Sequence, residues 1–175
     1  ESTAGAVTIE AMNTAAITAG TAAAALAVSG GLVGVSFAGA GAYAENEITG
    51  ATAARITDAT VDAQTDVLVS AESDATIDAI VLSAAAAIGV GAGGFGASIG
   101  VSLAENRIGN GDGSGVFAAI DGSTVTAGGD VDVLAKMDDA TIDATVVALS
   151  VAIAGGAVAG AAAGSGSDAL NAIDY

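Results

Sequence analysis

Several short segments of the chain alternate apolar and polar residues. Segments 67–69, 120–125 and 131–133 place Val, Ile or Leu at about every second position, with Asp, Ser or Thr nearby. A period of two residues is typical of a half-buried β-strand. Glycine clusters separate such segments, and glycine accepts the positive φ angles that turns require. The pattern predicts an all-β chain, with turns at Gly30 and Gly31, at Gly93 and Gly94, at Gly128 and Gly129, and in segment 109–115.

Similar segments return along the chain at a nearly constant spacing. VTIEA at 7–11, VLVSA at 67–71 and VDVLA at 131–135 lie 60 and then 64 residues apart. We interpret the chain as a single array of three units, residues 1–60, 61–124 and an incomplete 125–175. The other aligned segments are 15–19 with 75–79 and 140–144, 44–48 with 104–108 and 169–173, and 54–61 with 118–125.

Each unit also contains a long passage without charged residues, at 11–44, 80–104 and 144–167. These passages are long enough to span a bilayer as helices, but their many glycines and the lack of flanking Lys or Arg argue against insertion. As a straight strand, a passage of 25 residues such as 80–104 would measure about 80 Å, so we expect these passages to fold back at their glycines. Short local helices at 21–27 and 84–87 remain an alternative.

The side chains are unusually small. Ala and Gly supply 46 and 26 of the 175 residues, and aromatic residues make up 3%. Such side chains cannot fill the roughly 10 Å that usually separates packed sheets, so the layers must approach closely. Stacked units would bury their faces against one another. We therefore predict a β-solenoid or repeat-stacked β-sheet with a thin Ala/Gly-rich core and uncapped ends, with antiparallel β-meanders as the alternative.

Composition excludes much chemistry. Without Cys or His there is no thiol nucleophile, imidazole base or usual zinc ligand. The formal net charge of −17, with Arg55, Arg107 and Lys136 as the basic residues, disfavours nucleic-acid partners. Paired carboxylates could serve a polysaccharide-cleaving enzyme, but the aromatic and basic residues of a sugar site are scarce. We expect a protein that is not an enzyme, does not bind nucleic acid and does not insert into membranes.

Two segments carry a resemblance to a known class of repeats. TAGGDVDV at 126–133 and VSLAEN at 101–106 resemble the repeats of large bacterial filamentous surface adhesins of the leukotoxin-like and autotransporter-like types. The resemblance implies an extracellular, cell-surface or secreted β-rich array, and brings no catalytic residues. The expected function is a structural segment of an extracellular filament that pairs with copies of itself or continues in a longer chain. An adhesin module that binds a host or glycan partner is the alternative.

One glycine-rich loop is a candidate calcium site. Asn110, Asp112 and Ser114 place oxygen-bearing side chains at alternating positions of GNGDGSG, and oxygen ligands in a tight loop are what Ca²⁺ prefers. A plain surface turn is the alternative. Calcium could also bridge carboxylates near the strand ends, where like charges would otherwise repel one another, or these carboxylates form a solvated acidic face. They are Asp58, Asp62, Asp66, Asp74, Asp78, Asp130, Asp132, Asp138, Asp139 and Asp143.

Matching positions of successive units suggest contacts that fix the register. Lys136 corresponds to Glu72, and Arg107 corresponds to Glu47, so stacking would bring an acid opposite a base in both cases. Asn46, Asn106 and Asn171 also correspond, and we predict that they form a ladder of stacked amides, as identical side chains do in cross-β structures.

Overall fold

The computed structural model describes residues 5–109, 111 and 113–174, and 85% of these residues lie in β-strands. This part of the chain contains no helix, so segments 21–27 and 84–87 are strand rather than the local helix left open above. The described part also has no helix long and apolar enough to cross a membrane. The strands are β1 (Val7–Ile48), β2 (Ala51–Thr57), β3 (Thr60–Ala63), β4 (Val67–Ile108), β5 (Gly115–Asp121), β6 (Thr124–Ala127), β7 (Val131–Lys136), β8 (Thr141–Gly155) and β9 (Val158–Ile173).

The strand pairs of the described chain are parallel. In the largest sheet β4 lies between β1 on one side and β7, β8 and β9 on the other, while β2 pairs with β5 and β3 pairs with β6. The all-β prediction is confirmed, and the antiparallel meander is wrong. We call residues 7–63, 67–127 and 131–173 the first, second and third pass of the chain.

The register joins the residues that the internal repeat aligns. Val7 is opposite Val67, and Val67 is opposite Val131. The offset is 60 between β1 and β4, and it becomes 64 at the pairing of Ala51 with Gly115. It becomes 65 between β4 and β8. The extra residues therefore fall in the segments 109–114 and 137–140, outside the paired strands, because an insertion of one residue within a strand would turn its side chains to the other face.

An apolar core lies where the short strands meet the beginning of β4. β2, β3 and residues 67–71 enclose a cluster in which Ile56, Val67 and Val69 are buried. Val and Ile fill this region because three strands surround it and leave room for branched side chains. Segments 11–44, 80–104 and 144–167 contain no charged residue. The charged residues therefore lie in the short strands and loops of each pass or next to the two ends of these segments.

The part of β4 that contains the charge-free passage folds back on itself. Residues 75–90 form an outward arm and residues 93–108 form a return arm, and the two arms face each other. Ile77 and Ile108 share one buried cluster, and Val81 packs with Ala104 in another. In the third pass the same reversal separates β8 from β9. The predicted reversal at Gly30, Gly31, Gly93 and Gly94 occurs close to these glycines, although β1 and β4 continue through it as strand.

The two arms lie very close together. A Cβ atom added to Gly96 would be 2.8 Å from the carbonyl oxygen of Ile153 and 3.2 Å from that of Ala87. At Gly100 it would be 2.7 Å from the carbonyl oxygen of Leu149. These distances are shorter than van der Waals contact, so glycine is required on the return arm because the opposite backbone occupies the space of a side chain.

Burial alternates strictly along the arms of β4, but towards the reversal the larger side chains are outside. From residue 67 to residue 89 the odd positions are buried, and from residue 94 to residue 108 the even positions are buried. From residue 83 to residue 104 the buried positions hold Ala, Ser and Gly, such as Ala85 and Ser98, whereas Phe95 and Ile99 are exposed. This part of the hairpin thus reverses the usual arrangement, in which large apolar side chains lie inside and small ones outside.

Candidate functional site: polar ladders and an apolar face

The three repeated asparagines lie one above another at the end of the return arm. Asn46 Nδ2 donates to Asn106 Oδ1 at 2.8 Å, and Asn106 Nδ2 donates to Asn171 Oδ1, also at 2.8 Å. Asn106 is fully buried and Asn46 is 8% exposed. A buried amide needs partners for both its donor and its acceptor, and the neighbouring passes supply them to Asn106. Both hydrogen bonds point in the same chain direction, so the ladder is polar.

A second column of side chains lies on the outer surface near this ladder. Glu45 lies directly opposite Glu105 in the register, which brings two carboxylates together. Arg107 forms ion pairs with both of them, with Glu45 at 3.6 Å. The Tyr43 hydroxyl lies 3.2 Å from Glu45 and 3.1 Å from Glu105. Arg107 and Tyr43 thus offset the repulsion between the two acids from both sides.

The same surroundings raise the pKa of Tyr43 above its ordinary value. Desolvation is the main cause, and the charge and the hydrogen bond of Glu45 add to it, whereas the charge of Arg107 opposes the shift. A negative neighbour disfavours ionisation of the phenol because a second negative charge would form beside it.

The predicted register pairs lie opposite each other along the backbone, but their charges interact differently. Glu47 is opposite Arg107, and Glu72 is opposite Lys136. Arg107 forms its ion pairs with the Glu45 and Glu105 carboxylates, where it separates two like charges. Within the described chain, ion pairs shorter than 4 Å do not join Glu47 to Arg107 or Glu72 to Lys136.

Serine hydroxyls form a seam between the arms that the sequence reasoning missed. The Ser102 Oγ lies 2.9 Å from Ser83 Oγ and 2.8 Å from the carbonyl oxygen of Val147. Ser98 Oγ lies 2.7 Å from Ser150 Oγ of the third pass. Ser83, Ser98 and Ser102 all occupy buried positions of the alternating pattern, but the sequence alone does not show which of the two alternating sets of positions is buried.

The calcium candidates are only partly described. Asn110 and Asp112 lie outside the described residues, and Ser114 lies in the loop before β5, where its backbone N–H donates to the Gly111 carbonyl. Among the residues that the structure describes, no group of three acidic side chains is close enough together to hold a metal ion. Calcium binding by this loop stays a prediction.

The outer surface of the outward arms forms an uncharged apolar face. It contains five columns of three residues, and Leu26, Leu82 and Leu149 are 71%, 42% and 57% exposed. The columns are Gly20, Ile80 and Thr145; Ala22, Leu82 and Val147; Ala24, Ala84 and Leu149; Leu26, Ala86 and Val151; and Val28, Ile88 and Ile153. Contiguous exposed apolar surface is a common feature of interaction sites, so this face is a candidate site.

No protein-family model, curated protein or solved structure matches this chain.

Proposed function

We propose that this chain is a structural segment of an extracellular fibre of the bacterial cell-surface type, built as a β-solenoid in which each pass stacks on the previous one. The observation that carries the proposal is the parallel register of 41 residue pairs between β1 and β4, which continues from β4 to β8 and β9. A repeat that pairs with its own successor is suited to lengthening by addition of identical units. The resemblance of 101–106 and 126–133 to filamentous adhesin repeats supports an extracellular location.

The sheet edges fit further units of the same kind. Among the described strands, β1 has β4 as its one neighbour in the sheet, and β7, β8 and β9 likewise pair with β4. Edge strands present unpaired N–H and C=O groups that accept another strand. Because the strands are parallel and the asparagine ladder is polar, added units would all point in one direction, which generates an open filament rather than a closed dimer.

The chemistry of the described surface also favours a structural role. The carboxylates are not gathered into a metal site in the described chain, and they are suited to keeping a long fibre soluble. Small interior side chains keep the layers thin, and hydrogen-bonded Ser and Asn side chains link one pass to the next.

Electron microscopy of the purified chain, with variants of the free edge of β1, tests the proposal. The Val7 N–H donates to the backbone carbonyl of Asp66, just before the second pass, so strand alternation directs the Thr8 and Thr18 N–H groups away from the second pass. Proline at both positions removes two edge donors at sites where an edge strand tolerates it. We expect filaments from the unmodified chain and from a Thr8→Val/Thr18→Val control, and short or no filaments from Thr8→Pro/Thr18→Pro. Discrete particles from the unmodified chain would contradict the proposal.

A further inference from the structure

The apolar face of the outward arms has no partner within the described chain, and its composition restricts what can cover it. The face lies within segments that contain no charged residue, whereas the whole chain has a net charge of −17. Two copies that approached each other through the acidic end of each pass would bring many carboxylates together. Contact through the apolar face keeps these carboxylates apart.

The shape of the apolar face is complementary to a second copy of the same face. Two shallow grooves lie side by side over Ala24 and Ala84, one bordered by Leu82 and the other by Leu26. Leu149 lines both grooves. The same surface therefore carries both projecting leucine side chains and grooves over alanine that can accept them. A two-fold symmetric contact requires this, because the same patch of both copies forms the interface.

We propose that the apolar face binds the apolar face of a second copy of this chain, so that two hairpins pack sheet against sheet. This contact is lateral and uses side chains, whereas the end-to-end pairing proposed above uses the backbone of the strand edges. The two contacts are independent, and either can exist without the other. Face-to-face packing of sheets with interdigitated side chains is an established arrangement.

A second copy suits the face better than a lipid surface. The outermost passes expose strand edges beside the apolar face, and unpaired backbone groups are not tolerated in the hydrocarbon of a bilayer. In water these edges remain solvated while the face is covered. The acidic charge of the chain also disfavours approach to anionic head groups.

The size of the face indicates a weak contact for three passes and a strong one for more. Three strands and about nine residues along each arm give a flat area of roughly 400 Å². A standard protein interface buries about 800 Å² on each partner. We therefore expect rapid, concentration-dependent dimers from this chain, and tighter association when further passes extend the face.

Analytical ultracentrifugation of the Thr8→Pro/Thr18→Pro chain tests the lateral contact with end-to-end pairing blocked. Leu82→Lys/Leu149→Lys places two ammonium groups in the face, and we expect it to weaken dimerisation by at least about tenfold because burying a charge is costly. Thr60→Lys/Thr126→Lys is the control, because it makes the same change of net charge at exposed positions of β3 and β6. It should dimerise as strongly as the Thr8→Pro/Thr18→Pro chain without lysine substitutions. Leu82→Lys/Leu149→Lys also lowers the net negative charge, so charge repulsion between two copies cannot explain a loss of dimerisation in this variant.

Three results would overturn the proposal. The parent chain could remain monomeric up to millimolar concentration, or the face and control variants could dimerise equally. Flotation with neutral phosphatidylcholine vesicles, lost in the face variant, would assign the face to lipid instead. If circular dichroism shows that Thr8→Pro/Thr18→Pro does not fold, electron microscopy of chains without the proline substitutions tests the lateral contact. We then expect filaments associated in pairs from the unmodified chain and single filaments from Leu82→Lys/Leu149→Lys. If the unmodified chain forms dimers through the apolar face but no filaments, the result contradicts the proposed fibre and supports the lateral contact.

Discussion

Asn46 and Asn106 are sixty positions apart in the chain, yet the Nδ2 of Asn46 lies 2.8 Å from the Oδ1 of Asn106. The same bond repeats from Asn106 to Asn171. The buried Asn106 amide therefore has a hydrogen-bond partner in the first pass and another in the third pass, and this single column of side chains couples all three passes. It also opposes slippage, because a shift of either neighbour along the strand would separate the amides.

The middle asparagine should contribute most to stability. Asn106→Ala removes two hydrogen bonds and leaves the Asn46 donor and the Asn171 acceptor without their partner, so we expect a loss of about 1–3 kcal/mol. Asn171 is exposed and takes part in one bond of the ladder, so Asn171→Ala should cost less. Urea unfolding measures both. Equal losses would show that the ladder is not coupled through Asn106.

Leucine at the interior positions of the hairpin should force the arms apart. Gly96→Leu places a large side chain where the opposite backbone is already close, and Ala85→Leu places one at a buried position, so we expect losses of roughly 1–3 kcal/mol or more. Ala84→Leu is the matched control, because this neighbour of Ala85 is exposed. We expect its free energy of unfolding to change by about 0.5 kcal/mol or less. Unchanged stability in both interior variants would contradict the close approach of the arms.

Two buried serines should respond in opposite ways to removal of their hydroxyl groups. Ser102→Ala loses the contacts with Ser83 and with the Val147 carbonyl, at an expected cost of about 1–2 kcal/mol. Ser36 is also buried, but its Oγ has no hydrogen-bond partner among the residues that the structure describes. Ser36→Ala should therefore be neutral or stabilise by up to about 1 kcal/mol. Thermal or urea unfolding of the two variants compares them, and a greater loss at Ser36 would be the opposite of this expectation.

Tyr43 should titrate above the ordinary phenol pKa of 10.0. The folded state retains the proton more strongly than the unfolded state, so its contribution to stability is complete below pH 10 and is lost as the pH rises through the folded pKa. Glu45→Gln removes a neighbouring negative charge and should lower the pKa of Tyr43. Ultraviolet titration in a Tyr175→Phe background isolates the signal of Tyr43. A midpoint that does not fall in Glu45→Gln would exclude a role for the Glu45 charge.

The register was accessible from the sequence because each recurring segment returns after a nearly constant number of residues. Segments 7–11, 67–71 and 131–135 share a pattern of apolar positions, and their alignment gives the observed pairs without further information. The alignment also placed Asn46, Asn106 and Asn171 in one column. Column neighbours follow from spacing alone when strands are parallel and in register.

The interior and exterior of the hairpin were harder to assign from the sequence. The usual expectation directs Phe95 and Ile99 to the core, but the small Gly and Ser residues of the other parity are buried there instead. Arg107 illustrates the same limit. Its register partner is Glu47, but the diagonal position of Glu45 beside Glu105 offers two carboxylates at once, and sequence spacing does not distinguish a direct from a diagonal neighbour.

The parallel register also determines how such a chain would respond to tension along the stacking direction. Each pass adds about 4.8 Å of height to the sheet, the distance between neighbouring strands. The offset of 60 to 65 residues corresponds to about 200 Å of extended chain. Detachment of one pass would therefore release roughly forty times the length that it spans when folded. A fibre made in this way would absorb a sudden pull by unravelling one pass at a time, while the covalent chain stays intact.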